Sequence, residues 1–111
     1  MTLIFDPISS PGATRDLFID LTGALEAEEI LTAATINSGH PAVLSVSNVL
    51  VNSEMVEFAE QWIAIGKGIH FAIETQQRSQ TTVPLVVIFE GSSGTSDTYE
   101  IFQPVVARLR D

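Results

Sequence analysis

The chain has 111 residues, 45% of them hydrophobic, and a formal charge of −9 from 14 acidic and 5 basic side chains. That length and apolar content fit one domain with a real core and exclude wholesale disorder. The five cations, Arg15, Lys67, Arg78, Arg108 and Arg110, are scattered, which excludes a clustered basic surface for nucleic acid and disfavours anionic membranes.

Cysteine is absent, so disulfides and thiolate metal sites are excluded. No basic segment followed by a long apolar core marks a secretory signal. No run approaches the ~18 apolar residues that a membrane-spanning helix needs. The expectation is a soluble chain, used in the cytoplasm or carried elsewhere by assembly.

Residues 1–13 read as an extended N-terminal arm ahead of a β-sandwich domain over 14–111. Leu3, Ile4 and Phe5 are apolar, but Pro7, Pro11 and Gly12 break helix and discourage central strand pairing. Two readings fit: a frayed terminus, or a tether whose Leu3, Ile4 and Phe5 dock on a neighbouring subunit. Residues 14–21 alternate, with Leu17, Ile19 and Leu21 on one face and Asp16 and Asp20 on the other. Phe18 falls on the polar face, which predicts packing under a loop or partner. Residues 24–29 suit a helical turn or an irregular link. Strands follow at 30–36 and 43–51, parted by the turn signal Asn37-Ser38-Gly39-His40-Pro41.

Residues 54–65 are ambiguous. Met55, Phe58, Ala59, Trp62 and Ile63 fall at helical spacing, while the strand-like surroundings favour extended chain. We read a strand here, with room for one helical turn near Glu57. Gly66-Lys67-Gly68 then bends the chain into a run of hairpins: Ile69 to Ile73 alternates, Val83 to Phe89 is strongly apolar, and Tyr99 to Leu109 returns. Short strands joined by Gly/Ser turns predict an all-β fold, a small antiparallel sandwich or barrel of about seven strands.

No catalytic constellation is legible. His40 and His70 lack ligand spacing, and Glu26, Glu28 and Glu29 near Asp20 lack the periodicity of a calcium loop. A solvated acidic ridge is the simpler reading. Gly91-Ser92-Ser93-Gly94 lacks the Lys and helix of a phosphate loop and reads as a flexible hairpin tip. The large aromatics, Trp62 among them, read as core. No catalytic residue, cofactor or metal ligand is therefore assigned.

Asp16-Leu17-Phe18-Ile19-Asp20-Leu21 and the stretch from Glu28 to Ile36 resemble the opening of small immunoglobulin-like virion proteins of tailed bacteriophages. Ile65-Gly66-Lys67-Gly68-Ile69-His70-Phe71-Ala72-Ile73 is similar to a later strand of that group. The closing hairpin, with Gly91 to Asp97 at its turn and Pro104-Val105-Val106 near its end, is similar to the group's last pair. The chain departs from the pattern at Leu21, Ile36 and Thr75-Gln76-Gln77, where the group has Trp or a Gly-Gly turn. The resemblance implies an immunoglobulin-like sandwich serving as a non-catalytic virion structural protein. Capsid decoration or cement is the first placement, and a tail or head-tail connector component the alternative. Such a protein is made in the host cytoplasm and resides in the virion. Its partners are major capsid or tail proteins and further copies in a lattice, with no nucleic acid or membrane. Contacts are expected from Leu3, Ile4 and Phe5, and then from Gly91, Ser92, Ser93 and Gly94. A rival reading is a small immunoglobulin-like or lectin-like binding module that uses exposed aromatics around Trp62.

Overall fold

The computed structural model describes residues 2–58 and 61–107. They form β1 (Thr2–Ile4), β2 (Ile8–Ser10), β3 (Thr14–Asp20), β4 (Leu31–Ser38), β5 (Leu44–Val51), β6 (Val56–Phe58), β7 (Gln61–Ile63), β8 (Gly68–Thr75), β9 (Thr81–Gly91) and β10 (Ser96–Ala107). One layer is the antiparallel sheet β3-β8-β5. The facing layer runs β4-β9-β10 and ends in β1 and β2, which lie parallel to β10 one after the other. The chain crosses between layers after β2, β3, β4 and β8, and β1 with β2 acts as a single split edge strand. Seven strands so ordered make an immunoglobulin-like sandwich. The sequence leaves sandwich and barrel both open; two separate sheets decide it.

Period-two alternation builds the core. In β8, Ile69, Phe71 and Ile73 are essentially unexposed, whereas His70, Ala72 and Glu74 face outward. Val83, Leu85, Val87 and Phe89 of β9 meet them from the other layer, with Ile101 and Val105 of β10. Each such buried side chain contributes about 1.5–3 kcal/mol relative to exposure. Pro84 sits inside β9, where a missing N–H would normally break the sheet. Its carbonyl accepts from Gly39 N at 2.8 Å, so its nitrogen also faces the β4 side. The β4–β9 ladder stops at Ser38 and Leu85, so no ladder bond is lost there.

The predicted strands at 14–21, 30–36 and 43–51 appear as β3, β4 and β5 with ends moved by one or two residues. Residues 24–29 hold no full helix: one 3-10 turn at Thr22–Ala24 leads into irregular chain. Residues 54–65 are a small hairpin, β6 with β7. The return strand starts at Ser96, and residues 108–111 lie outside the described residues.

The N-terminal segment is extended as expected, but it is no detached arm. Ile8 is 3% exposed within the core, and the Ser10 hydroxyl, also buried, donates to Ser79 O at 2.9 Å. Gln103 Nε2 donates to Asp6 O at 2.8 Å and holds the break between β1 and β2. Pro7 falls in that break and Pro11 just past β2, so neither interrupts a ladder.

Candidate functional site

One end of the sandwich gathers three excursions: residues 21–30 between β3 and β4, residues 52–67 between β5 and β8, and the β9–β10 turn. Three buried polar side chains hold them together. Asn52 Nδ2 donates to Glu54 O at 2.9 Å and Ala64 O at 2.8 Å, while its Oδ1 accepts from Gly68 N at 3.0 Å. That one amide closes the base of the β6–β7 hairpin. The Lys67 ammonium donates to Glu26 O at 2.8 Å, Ala27 O at 3.1 Å and Glu29 O. An ammonium has three donors, and all three are used.

The Glu29 carboxylate, 1% exposed, reaches the β9–β10 turn. It accepts from Ser93 N at 2.9 Å, Thr95 N at 3.2 Å, Thr95 Oγ1 at 2.6 Å and Glu26 N at 3.1 Å. The Thr95 hydroxyl first, then the Glu26, Thr95 and Ser93 amides, hold its pKa down at about 2 against burial, which pushes it up. Gly91 lies against this carboxylate with no space for a Cβ. Gly66 needs its positive φ of 76° to turn the chain beside Ile30, whose backbone neighbour Leu31 donates to Gly66 O at 2.8 Å.

On this pinned end the alternation of the strands turns large apolar side chains outward. β5 pairs Val46 with Ile73 facing the core, but the register shifts by one residue between Ser47 and Leu50, around Asn48 at φ 54°. One extra residue flips everything after it. Leu50, which unbroken alternation would put on the face of Leu44 and Val46, is instead 60% exposed and pairs with His70. Leu50, His70 and Phe18 make one outward row across the sheet, Phe18 stacking on His70 at 4.6 Å. His70 Nε2 lies 3.9 Å from Asp16 Oδ1. A hollow of about 200 Å³ beside the row is bounded by Val51, Ser53, Glu54 and Val56.

In the hairpin, Ile63 is buried and the next residue out, Trp62, is 63% exposed. Trp62 is therefore not core, contrary to the sequence reading: a three-residue strand buries one face only, and Ile63 occupies it. Met55, Ile65 and Ile30 are exposed as well. Five of the seven large hydrophobic side chains exposed among the described residues, Ile30, Leu50, Met55, Trp62 and Ile65, thus belong to this end.

The expected contact residues lie elsewhere or do other work. Leu3 and Ile4 pair with Ile101 and Phe102 through their backbones; their side chains lie outside the described residues. Phe5 is half-buried against Phe71, ring centroids 6.4 Å apart, and packs on its own core. Gly91 is buried, and the turn holding Ser92, Ser93 and Gly94, expected as a flexible tip, is tied to the Glu29 carboxylate through Ser93 N and Thr95 N. The acidic ridge divides: Glu29 turns inward, while Asp20, Glu26 and Glu28 stay exposed. No three His, Asp or Glu side chains gather into a metal-binding group among the described residues. Two signals pointed to this end: a lone Lys between two glycines in an acidic chain, and the apolar run Trp62 to Ile65, longer than a short hairpin can bury. No family model matches the sequence, and no curated protein matches it.

Proposed function

We propose that the protein is a non-catalytic structural component of a tailed-bacteriophage particle, a capsid decoration or cement subunit that attaches by its loop end. The observation that carries this reading is the set of large apolar side chains, Trp62 foremost, held outside on a rigid immunoglobulin-like frame. Clustered exposed apolar residues mark contact surfaces. Pinned loops lower the ordering cost of docking, so modest interfaces repeated over a lattice add up. The pattern-level resemblance to phage virion proteins supplies the setting.

The test is incorporation. Particles assembled in the presence of a tagged copy should carry it, and Trp62→Ala should be excluded while remaining folded. Gold labelling on the head supports decoration; labelling at the tail or neck moves the subunit to the connector placement. A second reading, a free-standing binding module, is favoured by the same Trp62 exposure. It replaces the first if the tagged chain is absent from purified particles.

A further inference from the structure

We infer that the surface met by the loop end is a protein face with an apolar centre and a basic, Lys- or Arg-rich rim. This rests on the loop end being the attachment face and adds the chemistry of what it attaches to.

Charge supports it. Asp20, Glu26, Glu28, Glu54 and Glu57 are exposed in or beside the excursions that carry the apolar residues. The three described cations cannot neutralise them. Lys67 is buried on its three carbonyls, and Arg15 donates to Asp6 O and Pro7 O, both at 2.8 Å, at the other end of β3. Arg78 is exposed, but it lies in the turn after β8, at the opposite end of the molecule. Among the described residues the loop end therefore presents a single sign of formal charge beside its exposed apolar side chains. A second copy docked face to face would set these carboxylates against their equals, and nucleic acid or anionic lipid would be repelled likewise. A neutral carbohydrate could stack on Trp62 but would leave the acidic rim unanswered. A basic rim meets it and steers the encounter.

Trp62 is the only tryptophan, so its emission reports from the site itself. The probes are three short peptides in which Leu alternates with Lys, with Glu or with Ser. The Leu/Lys peptide should shift Trp62 emission to the blue, and raising salt from about 0.05 to 0.5 M should weaken its binding about tenfold. Glu54→Lys with Glu57→Lys should weaken it by about tenfold or more. Glu74→Lys, an exposed site at the far end of β8, should change it less than about twofold. Equal loss from Glu74→Lys would mean diffuse attraction to the chain's net charge and would overturn the inference. Equal response to all three peptides removes the basic rim but keeps the attachment face. Silence of Trp62 toward every peptide removes both.

Discussion

The two ends of the sandwich close the same fold by different chemistry. At the end opposite the three excursions, hydroxyls do much of the tying. Thr75 Oγ1 donates to Ser9 O at 2.9 Å and accepts from Ala13 N at 3.0 Å, and Ser10 Oγ accepts from Ser79 N at 2.9 Å. Its surface is polar, with Gln76, Gln77, Arg78 and Gln80. At the loop end the ties are a buried ammonium, a buried carboxylate and a buried amide, and large apolar side chains stand outside. Hydroxyls join segments as far apart in sequence as Ser10 and Ser79, but each has a short stem and a single donor. Lys67 and Glu29 have longer stems and more bonding positions, and each gathers several backbone groups of an irregular loop. A small sandwich can therefore carry a long excursion between β5 and β8 without leaving it loose. The loop end is thus tied by several buried polar side chains and partly apolar at once, a combination that folding alone does not require.

One substitution at Lys67 strikes this contrast hardest. Lys67→Met should strip the ammonium from three carbonyls, of which only Glu26 O keeps another donor, Glu29 N at 3.0 Å, and lower unfolding stability by about 3 kcal/mol in denaturant titration. A loss near zero would mean that the ammonium is not what ties the loops.

Next comes Glu29→Gln, which offers one acceptor oxygen where Ser93, Thr95 and Glu26 require two. The Glu29 carboxyl is depressed from 4.5 to about 2 in the fold. Between those values the unfolded chain takes up a proton that the folded chain refuses, so stability falls as pH falls. The contribution is complete above about 4.5 and lost on approach to about 2. Measured at successive pH values, the lead of the native protein over Glu29→Gln should shrink across that window; a constant lead would refute the assignment.

Thr75→Val tests the opposite end. It removes one donor and one acceptor at nearly constant volume and should cost about 1–2 kcal/mol, less than Lys67→Met, by the same titration. If it costs more, the contrast between the ends is reversed. The smallest effect belongs to Trp62→Ala, which should change stability by no more than about 0.5 kcal/mol, because the side chain is mostly outside. In the native protein its emission should be red-shifted and open to a neutral quencher. A shielded, blue-shifted tryptophan in the isolated chain would return Trp62 to the core.

Much of the fold was legible because alternation is a local signal. Ile69, Phe71 and Ile73, or Val83 through Phe89, announce an inward face whatever surrounds them. The exposed apolar end was less legible. Leu50 shares its period with Leu44 and Val46, and only the extra residue at Asn48 sends it outward. Trp62 has the composition of a core residue, and only the shortness of β7 leaves it without a layer to enter. The N-terminal segment reads as an arm since its prolines discourage pairing; their positions at the ladder's gaps are visible only when β10 is alongside.

Taken alone, the sequence determined an all-β domain, its strand faces and its acidic, cysteine-free character, for these depend on composition and on neighbours two residues away. Tertiary structure alone decided where Lys67, Glu29 and Asn52 are buried, which apolar side chains remain outside, and how the first strands lie on the last. Those outcomes depend on carbonyls and amides brought from distant loops, and no local period encodes such meetings.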